Sequence, residues 1–206
     1  MTWLRITCVQ SIEDDKQSVT KKKTVYFLHL QLLELVMPKG LKQTSSIIVI
    51  GAAVTETAPN TFTEARVDLQ LNPLDNEVFV VQAINLDVSA PDAIAATDTK
   101  VSGSLSSTSL TAVGTLNQSQ VMAVSQDAIR AAGFVDGGVG FSRSSMETPP
   151  STLEYIGIIA TNDFFLQGDG EGNAAAKAMT AKGYGYRARA EASTYAALVQ
   201  SEVLSS

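Results

Sequence analysis

Hydrophobic and polar residues alternate with period two over much of the chain after Met37, and that pattern predicts strands. In Ala65–Leu71, Val67, Leu69 and Leu71 share one face while Arg66, Asp68 and Gln70 take the other. Glu77–Val88 is the strongest strand. Phe79, Val81 and Ala83, then Leu86 and Val88, suggest a buried face with one register change. Ser46–Val54 is a short apolar run bounded by polar residues, and Lys100–Val113 predicts a long Ser/Thr-rich strand around Val101, Leu105 and Leu110. Leu153–Ala160 and Asp163–Leu166 predict two further strands around Thr161-Asn162. Ala174–Glu191 predicts a last long one, with Tyr184, Tyr186, Ala188 and Ala190 on one face.

Two segments have helical character. Ser125–Ala132 has a capping Ser125, an acidic Asp127 in its first turn and Gly133 as its stop. Ala192–Val203 places Tyr195, Leu198 and Val199 at helical spacing. Asn72–Asn76 is a turn, Gly133–Gly140 and Ser144–Ser151 are loops, and Gly168–Asn173 is a flexible turn. Many strands, long Ser/Thr/Gly-rich connections and no strand–helix–strand rhythm predict an all-β fold. The expected architecture is an antiparallel β-sandwich, an eight-stranded single jelly roll with one or two short helices. An immunoglobulin-like sandwich has the same strand density, but its Cys…Trp…Cys signature is missing.

Composition narrows the function. The only Cys (Cys8), His (His29) and Trp (Trp3) all precede Met37, so the 170 residues from Met37 to Ser206 contain none of the three. The composition changes sharply there. Residues 1–36 contain no Gly, Ala or Pro, whereas the next stretch begins MPKGLKQTSS. Two readings of residues 1–36 stay open: an over-extended reading frame with translation starting at Met37, or a genuine N-terminal arm outside the core. Residues 37–206 are then the single folded domain. Val25–Val36 after Lys21–Lys23 faintly mimics a signal peptide, but polar residues interrupt it and no clean cleavage site follows. No segment reaches the roughly 18 apolar residues of a membrane span.

Of 15 basic and 21 acidic residues, five and four lie in residues 1–36, which leaves 10 and 17 and a charge of −7 for the rest. Phosphate binding rests on Lys and Arg, so strong direct nucleic-acid binding is not expected. Catalytic candidates are few. The main body has Ser in abundance and no His to activate it, and zinc has neither His nor Cys to hold it. Asp169, Glu171 and Asn173 alternate in GDGEGN as calcium ligands do, without the rest of a twelve-residue loop; a turn between strands is the simpler expectation. Gly133–Gly140 is glycine-rich but lacks the Gly-Lys-Ser/Thr ending of a phosphate loop. Tyr184 and Tyr186 face one way in a strand and Arg187 and Arg189 the other, so no single surface both stacks bases and contacts phosphate. The Tyr pair is expected toward the core and the Arg pair toward solvent or a neighbouring subunit. No catalytic residue and no cofactor is expected.

The stretches 76–109 (NEVFVVQAINLDVSAPDAIAATDTKVSGSLSSTS) and 151–202 resemble single jelly-roll capsid proteins of small, largely uncultured marine viruses. The resemblance covers most of residues 37–206 in texture, strand order and size, with no short diagnostic motif. It implies an eight-stranded jelly roll, icosahedral self-assembly with copies of itself, further virion proteins as partners, and a location in the virion. The only candidate for a basic arm that holds a naked genome is Lys21–Lys23; if the chain starts at Met37, packaging would fall to another protein, a lipid layer or counterions. Two other classes remain: a secreted or surface β-sandwich, either fimbrial or carbohydrate-binding, and an enzyme on the same scaffold. The first needs an export signal. The second needs a groove lined with aromatics and carboxylates.

Overall fold

The computed structural model describes residues 40–133, 135, 138–144 and 154–204. Ten strands run through them: β1 Leu41–Gln43, β2 Ile48–Thr55, β3 Thr63–Asp68, β4 Glu77–Val88, β5 Thr99–Ser106, β6 Val121–Arg130, β7 Val139–Ser144, β8 Gly157–Ile159, β9 Asp163–Glu171 and β10 Ala178–Ala190. One α-helix, α1, spans Ala192–Leu204. One sheet has the order β1–β10–β4–β8, with β2 also on β10; the other is β3–β9–β5–β6–β7. All pairings are antiparallel.

β1 and β2 lie on one edge of β10, against Ala188–Ala190 and Ala178–Gly185 respectively, and so act as one interrupted edge strand. With that pair merged, the two sheets show the interleaving of paired Greek keys: first, last, third and sixth in one sheet, second, seventh, fourth and fifth in the other. β7 is an extra strand on the second sheet. The fold is a jelly roll.

The sheets face each other across one apolar core that includes Val54, Leu69, Leu71, Phe79, Ile84, Leu105, Phe164, Leu166 and Met179. β4 contributes to it along its whole length because of a bulge. Gly185 pairs with Val81 and Tyr184 with Ala83, so Gln82 is the extra residue. Phe79 and Val81 point inward before the bulge, and Ile84, Leu86 and Val88 after it. This is the register change read from the sequence, except that Ala83 falls on the opposite face. A side chain at Gly185 would collide with the Val80 carbonyl and the Phe79 ring, so the bulge depends on glycine there.

Val78–Val81 are four consecutive buried residues, which a one-sided strand does not show. The outer face is covered as well. Tyr195, Leu198 and Val199 of α1 pack on a second cluster formed by Val78, Val80, Ala160, Tyr186, Ala188 and Ala190. Glu202, near the end of α1, accepts the Ala160 and Thr161 amides at 3.0 and 2.8 Å. Burial pushes its carboxyl above the ordinary range, against those two bonds.

Several segments differ from their sequence pattern. Ser125–Ala132 is not a helix: Ser125–Arg130 belong to β6, a central strand between β5 and β7. Pairing on both sides outweighs a weak local preference. β5 stops at Ser106 instead of continuing to Val113, because a bulge at Leu105/Ser106 and a bond from Ser106 Oγ to Thr108 O at 2.6 Å turn the chain. Gly168–Glu171 is not a flexible turn but the end of β9, paired with β5; only Gly172, with φ +69°, leads into a turn. β8 keeps only Gly157–Ile159 of the strand expected at 153–160, whose Leu153 lies outside the described residues. Val139 and Gly140 begin β7, so the loop expected at 133–140 is shorter. Most of the 144–151 loop lies outside the described residues. The expected strand count of eight describes the jelly-roll positions; β1/β2 splitting and β7 bring it to ten.

Candidate functional site

The polar residues that shape the surface of the second sheet start from two buried anchors. Glu56 follows β2 and is 4% exposed. Its Oε1 accepts the Gly170 amide at 2.7 Å and the Thr61 amide at 3.2 Å, and its Oε2 accepts the Lys177 amide at 2.7 Å. One carboxylate thus ties three chain segments at the β9–β10 end of the sandwich. Asn173 does the same from the turn. Its Nδ2 donates to Lys100 O at 2.8 Å and Glu171 O at 3.2 Å, and its Oδ1 accepts the Asp92 amide at 3.0 Å. Asn60 bonds both its backbone N–H and its C=O. Lys177 Nζ donates to Asp92 Oδ1 at 2.6 Å and Ala90 O at 3.1 Å. That bond, with the Ala174 and Ala175 amides, holds the Asp92 carboxyl below its ordinary range.

The second anchor is Gln167, fully buried on the outward side of β9. Its Nε2 donates to Ser106 Oγ at 2.7 Å and to Glu64 at 3.0 Å, and its Oε1 accepts from Ser104 Oγ at 2.9 Å. Ser104 Oγ in turn accepts the Gly114 amide at 2.8 Å. Glu64 accepts from Ser109 Oγ and from the Leu110 amide. The β5–β6 connection, residues 107–120, is thereby folded back over the outer face of the second sheet. This is why outward Ser104 and Ser106 are buried.

Beside that loop lies a groove of about 330 Å³. Its floor is a single lateral row of the sheet: Asp169 pairs with Ser102, Ser102 with Gln126, and Gln126 with Arg143. Ala112–Leu116 forms a wall. Lys100 and Glu171 occupy the next row and bridge at 2.5 Å. Burial first, then the nearby Glu171 and Glu56 charges, push the Asp169 carboxyl above its ordinary range.

The structure brings two of the three residues read as calcium ligands together. Asp169 and Glu171 are outward neighbours on β9 and both line the groove. Asn173 sits beyond Gly172 with its amide engaged on backbone. Among the described residues no group of three or more His, Cys, Asp or Glu is placed to hold a metal ion. Tyr186 is buried under α1, whereas Tyr184 is half-buried. The arginines are less free than expected. Arg187 donates to Leu69 O at 2.9 Å and Gln70 O at 3.3 Å and meets Glu77 at 3.4 Å, and Arg189 pairs with Asp75 at 2.7 Å. The sequence reading missed Ser102, Gln126 and Arg143, because only strand register places them beside Asp169.

No family model matches the chain, and no curated protein matches it. Among solved structures it is similar to a chain of Desmodium yellow mottle tymovirus, at 12% identity over 75% of this chain and 93% of that one, with a TM-score of 0.30. It is similar to VP1 of Merkel cell polyomavirus, solved as an unassembled pentamer, at 7% identity over 74% and 98%, with a TM-score of 0.34. Turnip yellow mosaic virus gives 10% identity over 72% and 95%, with a TM-score of 0.29. The strand order, and not these scores, defines the fold. Among the described residues no helix is long and apolar enough to cross a membrane.

Proposed function

We propose that this chain is a structural subunit of a viral capsid, assembling with copies of itself into a closed icosahedral shell in the virion. The observation that carries the reading is the interleaved order β1/β2–β10–β4–β8 against β3–β9–β5–β6. Fold alone does not give function. The order gains weight from the resemblance of residues 76–109 and 151–202 to single jelly-roll capsid proteins. It gains more from a main body without His, Cys or Trp. In this reading the chain performs no catalysis, and closure comes from heterologous contacts between identical subunits.

Residues 37–206 are proposed to be the assembling unit, with residues 1–36 dispensable. Size-exclusion chromatography with light scattering tests both points on protein made from Met1 and from Met37. The reading expects one large species of uniform mass from each form. A mass equal to one subunit for both forms, across protein concentration and salt, overturns it. Loss of assembly only in the shorter form overturns the dispensability of residues 1–36.

A further inference from the structure

We propose that the groove on the outer face of the second sheet binds an elongated zwitterion, with its ammonium group at Asp169 and its carboxylate at Arg143. This inference is independent of shell assembly. The row Asp169–Ser102–Gln126–Arg143 crosses four adjacent strands, β9, β5, β6 and β7. Three strand spacings separate its ends, about 14 Å between backbones, and the two side chains close part of that span. Opposite charges therefore stand at the ends of one polar floor, with a hydroxyl and an amide between them.

Among the described residues no hydrogen bond or ion pair engages the Asp169 carboxylate or the Arg143 guanidinium. Lys100, the nearest other cation, is already committed to Glu171 at 2.5 Å. Asp169 is half-buried, and its raised carboxyl range records an anion with too little solvation and acidic neighbours. A ligand cation would relieve that. Ser102 and Gln126 supply donors and acceptors for the middle of the ligand. Val113, Leu116 and Val124 line the groove as well and suit a methylene chain. The groove's two carboxylates and two cations cancel, so a ligand of net charge is disfavoured against one carrying both signs.

Isothermal titration calorimetry on the full chain at low salt tests this with 6-aminohexanoate, using hexylamine and hexanoate as single-charge probes. The expected result is binding of 6-aminohexanoate at least about tenfold tighter than either probe, since each loses one charge-assisted contact. Asp169→Asn and Arg143→Gln are each expected to weaken it by about tenfold without lowering the unfolding midpoint. Asp169 is half-buried and Arg143 exposed, and among the described residues neither side chain makes an internal bond that its substitution would remove. Absence of binding, equal binding of all three probes, or unaltered binding by both variants would each overturn the proposal.

Discussion

Removing the Glu56 carboxylate should weaken the sandwich more than any other single polar change at its β9–β10 end. The side chain is 4% exposed and accepts three amides, of which those of Gly170 and Lys177 are buried. In Glu56→Ala these two donors lose their partner with no ready access to water. A buried unsatisfied donor costs about 1–3 kcal/mol, which gives about 2–6 kcal/mol for the pair. Domain stabilities are about 5–15 kcal/mol, so the variant should be at or near the edge of folding. Glu56→Gln separates charge from shape. Its amide oxygen can keep the Gly170 and Thr61 bonds, while its NH₂ then faces the Lys177 N–H. The expected loss is about 1.5–3 kcal/mol, the value of one bond to a charged group. Urea unfolding followed by circular dichroism at neutral pH reads both, with exposed Asp87→Asn as a control expected within about 0.5 kcal/mol of the parent. A Glu56→Ala variant as stable as the control would refute the reasoning.

Three further perturbations probe other parts of the fold. Glu202 has its folded-state carboxyl pushed up by burial, so its stabilising contribution is complete below the unfolded carboxylate range and is lost as pH rises through the folded value. Relative to Glu202→Gln, the parent should therefore lose unfolding temperature as pH rises from about 4 to 7; a constant difference would contradict this. Gln167→Leu leaves Glu64, Ser104 and Ser106 short of partners and should cost about 1–3 kcal/mol. Hydrogen exchange should rise across residues 107–120, and unchanged protection there would show that Gln167 does not pin the loop. Val80→Ala, at a site covered on both faces, should cost about 2 kcal/mol in urea unfolding. A loss below about 0.5 kcal/mol would mean that α1 does not seal that face.

The fold was legible where a local pattern and the tertiary environment agree. β4, β10 and α1 carry their buried faces openly in sequence. The Asn72–Asn76 turn is likewise explicit: Asn72 Oδ1 accepts the Leu74 amide at 3.1 Å, and Asn76 adopts φ 52°, which Asn tolerates. β6 was misread because Ser125, Asp127 and Gly133 imitate helix caps, whereas the strand exists by pairing with β5 and β7. β9 was cut short because its glycines look like a turn. Gly168 and Gly170 are small because Met179 and Glu56 lie against them. Of the groove, Asp169 and Glu171 were visible as an alternating acidic pair. Ser102, Gln126 and Arg143 were not, since lateral neighbours across antiparallel strands are far apart in sequence. Glu56 and Gln167 carry no sequence mark at all, and burial alone gives them their role.

Self-assembly is the central claim, and negative-stain electron microscopy of the purified protein tests it most directly. Class averages should show closed particles of one diameter, with the symmetry of an icosahedral shell. A field of single subunits, or open filaments of variable length under every salt and pH condition, would contradict the account.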